Sequence, residues 1–294
     1  MAGPRPPAFD AFVAPARRRP GLWRLALGLI VGFLVYLGFT VALLAALSRL
    51  DPALATEVAM AAKAPATPAA TLFLILSFAG MALGAIAAAG IHGRGPATLF
   101  GPRTRVLGDF RRAAGTVLAI YSLFGLVALA FYTPEPNLPL GMWLVLLPLS
   151  LAGVLLQVTA EEMVFRGYLM QQLAVRFRSP AIWFLLPSLL FGAGHYAPGT
   201  GAAGLLPVAA TTVFGLVAAD LTRITGSLGA AIGFHFANNV FALLLVSVKG
   251  SITGLSLFVT PFAVTELDAA SPMILADIAG LGIVWLALRR RLRR

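Results

Sequence analysis

Of the 294 residues, 59% are hydrophobic and only 11% charged, and the mean hydropathy is +0.90. A soluble domain of this length cannot hide that much apolar surface, so the chain reads as a multi-pass membrane protein. Cysteine is absent, which excludes a disulfide framework, a thiol nucleophile and a cysteine-ligated zinc. The net charge of +11 does not indicate nucleic acid, because the arginines gather at the chain ends and in certain loops instead of on an amphipathic face. Arg5, Arg17, Arg18, Arg19 and Arg24 lead in, and Arg289, Arg290, Arg291, Arg293 and Arg294 close the chain. Such flanking clusters orient a protein in the bilayer and meet anionic lipid head groups.

In chain order, residues 1–20 are rich in Pro, Ala and Arg without an apolar period, and are expected to form a disordered basic cytoplasmic tail. The apolar run from Leu25 to Leu47 is too long for a signal h-region and is read as a retained first span. Apolar segments fall at about Leu22 to Leu47, Ala69 to Ile91, Ala113 to Tyr132, Leu140 to Val158 with a continuation, Ala181 to Gly194, Leu205 to Ala219, Leu228 to Val248 and Met273 to Leu288. Each is near the roughly 20 residues needed to cross a bilayer, although some are short. The expected fold is therefore all-α, a polytopic bundle of about eight spans with both termini cytoplasmic.

The loops test that count, because cytoplasmic loops should carry the excess of Lys and Arg. Residues 92–112 hold Arg94, Arg103, Arg105, Arg111 and Arg112, residues 176–180 hold Arg176 and Arg178, and residues 220–227 hold Arg223. The intervening loops are poorer: Arg49 and Lys63 face Asp51 and Glu57, residues 133–139 have only Glu135, residues 195–204 have no Lys or Arg, and Lys249 faces Glu266 and Asp268. The alternation divides the chain into a tail (1–20), a scaffold of three spans (21–139), a polar-cored unit of four spans (140–248), and a final stretch (249–294) of outer loop, last span and basic cytoplasmic tail. No internal repeat is present.

Glu161 and Glu162, with Arg166, interrupt a stretch that is apolar from Leu140 to Val158. A charge there costs about 2.5 to 3.5 kcal/mol on insertion scales, and that cost implies a use. Glu162 and Arg166 are four apart with the acid first, the favourable order for an ion pair on a helix. Glu161 points about 100° away and has no partner on its own helix. Two of the three histidines, His195 and His235, fall within or at the end of apolar segments, while His92 opens a basic loop and is given no role. Phe191 lies one turn below His195 on the same face, with Gly192 and Gly194 permitting close helix approach. Asn239 shares a face with His235, and Asn238 points elsewhere. At about 1.5 Å per residue, Glu161, His195 and His235 reach overlapping depths.

Two chemistries fit this constellation. In one, Glu161 deprotonates a water that His195 shares and orients, while His235 and Asn239 donate hydrogen bonds to the oxyanion of an attacked amide. In the other, Glu161, His195 and His235 ligate a metal such as zinc, since two His and one Glu form an accepted catalytic set, here without the compact His-Glu-x-x-His spacing. Ser227 as nucleophile with His235 as base fits less well, because Thr225-Gly226 predicts a turn and no Gly-x-Ser-x-Gly elbow occurs. An aspartyl dyad fits poorly too, with Asp109 and Asp220 in expected loops. Outside catalysis, the cluster could clasp helices in a silent scaffold or immunity protein. A proton-coupled transporter is disfavoured by the missing inverted repeat.

At Glu161-Glu162-x-x-x-Arg166, Phe191-x-x-x-His195 and His235-x-x-x-Asn239, the sequence resembles the CPBP family of intramembrane proteases, the CAAX prenyl protease 2 and bacteriocin-processing group also called Abi or lysostaphin-resistance-like proteins. The stretch Arg223 to Leu228 ahead of His235 is also typical, and the likeness covers about residues 140–245. The resemblance implies an endopeptidase of a membrane-associated protein or peptide, acting near the cytoplasmic leaflet of a bacterial plasma membrane. It implies that Glu161 and His195 activate water, that His235 and Asn239 stabilise the oxyanion, and that Glu162, Arg166 and Phe191 support the site. Members are described both as glutamic and as metalloproteases; the residue pattern favours the glutamic form without a cofactor, with zinc as the alternative. A prenylated substrate does not follow from the family name.

Overall fold

The computed structural model describes residues 5–61, 64–196, 205–266 and 272–292. Lys63, Asp268, Arg293, Arg294 and residues 197 to 204 lie outside the described residues.

Long helices form where the apolar segments predict them: α2 (Leu22–Leu50), α4 (Pro68–Ile91), α5 (Arg103–Ala128), a helix that starts as α6 (Leu140–Glu162) and ends as α7 (Gln171–Arg176), and α9 (Leu205–Thr225). These five are long and apolar enough to cross a membrane. Outward residues of α2 such as Ile30, Phe33, Leu34 and Val41 are exposed, a face that suits lipid and would be a liability in water. The remaining predicted spans, α8 (Leu186–Ala193, preceded by a wide turn from Ala181), α10 (Gly229–Asn239, continued to Leu245) and α11 (Pro272–Leu292), form helices in the expected places. They do not join the five by length and apolarity.

Four expectations are corrected. The stretch expected to be a disordered tail folds from Pro7 as α1 (Pro7–Val13) and a tight 3-10 turn (Ala14–Arg18). Phe9, Phe12 and Val13 are spaced to form one apolar stripe on that short helix, and all are buried. Phe9 packs on Trp183 at 5.0 Å between ring centroids, and Arg5 donates to the carbonyls of Ala174 and Phe177 at 2.6 and 2.7 Å, capping the end of α7. Second, the chain is not purely helical. Residues rich in Val, Phe and Thr form β2 (Val246–Lys249) and β3 (Phe258–Ala263), which join β1 (Glu135–Pro136) in the order β1-β3-β2. β1 runs antiparallel and β2 parallel to β3. Third, part of the loop from 48 to 68 is helical: Asp51 caps α3 (Pro52–Met60) by accepting from the Leu54 amide at 2.9 Å. Fourth, Asp109 and Asp220 lie within α5 and α9 instead of in loops.

Two apolar clusters organise the bundle. One gathers Ile75, Val154, Val158, Met163, Met170 and Trp183; the other gathers Val117, Phe191, Phe214, Phe234, Leu281 and Val284. The acidic end of α6 meets α8, α9 and α10 at the boundary between them. The turn into α10 is fixed by Ser227, whose hydroxyl donates to Asp109 Oδ2 at 2.9 Å, so Ser227 is occupied there and is not paired with His235. α10 then crosses α5 so closely that a Cβ on Gly233 would stand 2.4 Å from the Phe110 carbonyl oxygen. Gly233→Ala is expected to push α10 off α5 and cost about 1 to 3 kcal/mol, the usual penalty of overpacking. An unchanged melting temperature in detergent would show that the crossing has slack.

Candidate active site

α6 carries Glu161 and Glu162 on its last turn, and the backbone then widens into a π-helical stretch, Met163–Met170, that contains Arg166. Such wide turns recur at functional sites. A second widened stretch precedes α8, and a third, Val240–Leu245, begins immediately after Asn239. The first and third sequence motifs therefore adjoin irregular helix, while Phe191 of the second lies in the regular α8 that follows the widened stretch.

The expected ion pair is present. Arg166 Nη1 donates to Glu162 Oε1 at 3.0 Å, with both side chains buried, while Arg166 Nη2 donates to the Gly215 carbonyl of α9 at 3.0 Å. His235, from α10, lies between the two carboxylates. Its Nδ1 is 2.9 Å from Glu162 Oε1 and its Nε2 is 3.3 Å from Glu161 Oε2. An ionised carboxylate only accepts, so Nδ1 donates to Glu162, and Nε2 faces Glu161 across the 3.3 Å contact. Arg166, Glu162, His235 and Glu161 thus form one continuous chain of charge-assisted contacts. Glu161, which lacks a partner on its own helix, finds one on α10.

His195 closes α8 and is exposed. Its Nδ1 donates to the Phe191 carbonyl at 2.9 Å, which leaves Nε2 of the neutral ring as an acceptor. The Phe191 ring separates the two histidines, 5.0 Å from His195 and 5.9 Å from His235 between centroids, with the Arg166 guanidinium 4.7 Å above it. Phe191 is held by close packing of α8 on α9, where a Cβ on Gly192 would meet Thr212 and the Val208 carbonyl; Gly194 makes no such approach.

Glu161, His195, His235 and Asn239 all line one cavity of about 150 Å³. The volume admits several waters. Asn239 Oδ1 accepts from Asn238 Nδ2 at 3.1 Å, and Asn238 Oδ1 accepts from the Tyr121 hydroxyl at 3.2 Å. Asn238, expected to point elsewhere, lines the same cavity and orients Asn239 so that its own NH₂ is left over as a donor. Of the alternative zinc set of Glu161, His195 and His235, His235 Nε2 stands 3.3 Å from Glu161 Oε2 with Nδ1 turned to Glu162. Among the described residues, no group of three or more His, Asp or Glu side chains is placed to hold a metal ion.

Several site residues escape the motif reading. Gln157 is one turn before Glu161 on the same face, a position that the i, i+4 rule points to. Phe214, from α9, stands 4.8 Å from the His235 ring and carries no polar signal in the sequence. Asp277, the lone acid in the last apolar segment, also lines the cavity, and its insertion cost is the sign that marks it. His92, given no role, is buried and bridges the Arg19 carbonyl at 2.7 Å and the Tyr168 hydroxyl at 3.1 Å, which ties the chain's start to the widened stretch after the glutamates.

The long apolar helices and the buried Glu-His-Glu-Arg chain define a helical integral membrane protein with a polar site inside the bundle. Residues 142–241 match the family described as Type II CAAX prenyl endopeptidase Rce1-like. All three motifs read from the sequence fall within this segment. The chain is also 28% identical over 166 residues to YyaK, an uncharacterized protein of Bacillus subtilis (strain 168), which corresponds to 53% of this chain and 54% of that one. It therefore spans about half the length of the curated relative it matches. No solved structure matches the chain.

Proposed function

We propose that the protein is an intramembrane endopeptidase that hydrolyses a peptide bond of a membrane-associated protein or peptide with a glutamate-activated water. The observation that carries this reading is Glu161, at the edge of a cavity large enough for water and backed by His235, Glu162 and Arg166. Water bound between Glu161 and His195 Nε2 loses a proton to Glu161 as its oxygen attacks the scissile carbonyl carbon. Negative charge then builds on the carbonyl oxygen, where the free NH₂ of Asn239 and a protonated His235 Nε2 can donate. When the C–N bond breaks, the proton held by Glu161 passes to the leaving amine. Glu162 and Arg166 keep His235 oriented throughout, and Phe191 spaces the two histidines. The arginines at one end of the bundle, several of them around a larger cavity that includes Arg5, Arg176 and Arg178, suit contact with anionic lipid heads on the cytoplasmic side. No cofactor is needed for these steps.

Cleavage of a library of membrane-proximal peptides by wild type and Glu161→Gln, each with and without a strong chelator, tests the reading. The expected result is wild-type cleavage that survives chelation and is lost in the variant. Loss on chelation restored by added zinc would reassign Glu161, His195 and His235 to a metal. Cleavage by neither protein would favour a helix-clasping role in a scaffold.

A further inference from the structure

The catalytic cavity has a second acidic wall outside the family-matched segment. Asp277 and Leu281 are one turn apart on α11, and both line it. α11 is held against α9 through Trp285, whose indole N–H donates to Asp220 Oδ2 at 2.9 Å, so the face bearing Asp277 is fixed toward the site. Counting back from Arg289 at about 1.5 Å per residue, Asp277 stands roughly 18 Å from the arginine-rich end, within the apolar part of the bundle. There it faces a cavity whose described lining includes no Lys or Arg. Glu162 is neutralised behind the cavity by Arg166, so Glu161 and Asp277 set its charge.

A second observation points to the same kind of ligand. Gln157 lines the cavity and is only 8% exposed, and its Oε1 is buried without a hydrogen-bond partner among the described residues. A buried acceptor without a donor costs about 1 to 3 kcal/mol unless something supplies an N–H or O–H. The opening therefore combines a carboxylate with no Lys or Arg beside it in the described lining, a buried acceptor with no donor among the described residues, and the proposed base. We infer that this cavity receives a lysine or arginine side chain of the substrate, next to the bond to be cut, with Asp277 as the residue that selects it and Gln157 accepting from it or from the adjacent backbone amide. This rests on the protease reading for the word substrate, but the binding preference can be measured without cleavage. Opposite charges attract more strongly the lower the dielectric around them, so a carboxylate on a membrane-spanning helix selects a cation more steeply than one in bulk water.

The test uses matched membrane-proximal peptides carrying Lys, norleucine or Glu at each position in turn, presented to the full chain in nanodiscs. Binding is measured by fluorescence anisotropy on Glu161→Gln, with and without Asp277→Asn and Asp277→Glu, and kcat/KM is measured on the same Asp277 variants in the wild-type background. The expected result is that Lys exceeds norleucine about tenfold or more at one position. The ratio should fall to near 1 with Asp277→Asn and be restored by Asp277→Glu. Asp277→Lys should turn the preference toward Glu. Absence of a Lys preference in the wild-type chain, or a preference that survives Asp277→Asn, would overturn the assignment. Asp277-dependent binding of the Lys peptide without any cleavage would uphold the inference and remove the protease reading instead.

Discussion

Arg166→Ala should destabilise the protein by about 3 to 5 kcal/mol, the range for removing one partner of a buried ion pair. Glu162 is fully buried, and its Oε2 has no hydrogen-bond partner among the described residues, so compensation of its charge passes through Oε1. There Arg166 and His235 are the two donors. Without the guanidinium, His235 alone must hold the charge, and the Gly215 carbonyl of α9 loses its donor as well. Glu161→Gln is nearly isosteric, and among the described residues the Glu161 carboxylate pairs with His235 alone, at 3.3 Å, so its stability should stay within about 1 kcal/mol of wild type. Denaturation midpoints of the two variants in the same detergent check the contrast. Equal midpoints would mean that Glu162 is protonated or hydrated in the folded state and that Arg166 is dispensable to it.

The sequence carries the parts of this site that depend on one helix at a time. The i, i+4 spacing of Glu162 and Arg166 predicts an ion pair, and the pair forms at 3.0 Å. The spacing of His195 behind Phe191 places them on one face, and the histidine ring bonds the Phe191 carbonyl. What it does not carry is the contact between helices. Glu161 and Glu162 point about 100° apart, which argues against a shared partner, yet an imidazole has nitrogens on two sides and one ring from α10 reaches both. Composition misleads for residues 7–18: Pro, Ala and Arg dominate, but Phe9, Phe12 and Val13 suffice to seat a short helix on Trp183. The sheet is equally hidden, because β1 pairs with a strand that follows it only after four more helices in the chain. Asp277 is passed over for a related reason, since a lone acid near the start of a span looks like a boundary until α11 is packed beside α5 and α9.

The contact between Glu161 and His235 leads to the largest expected effect on rate. If Glu161 takes the proton of water while His235, held against it, faces the oxyanion of the same transition state, the two act as a unit. Glu161→Gln should then lower kcat by about 10² to 10⁴, the usual scale for a general acid–base, and His235→Ala should do so to a similar extent. The double variant should fall no more than about tenfold below the worse single one, because each side chain holds the other in place and neither works once its partner is gone. Independent roles would instead multiply, to losses of about 10⁴ to 10⁸ by the same scale. Single-turnover cleavage at saturating enzyme separates this from weakened substrate binding. Multiplicative losses would mean that the two side chains act independently, Glu161 on the water and His235 on the oxyanion. The 3.3 Å contact between His235 Nε2 and Glu161 Oε2 is the geometry from which a shared, non-multiplicative loss is expected.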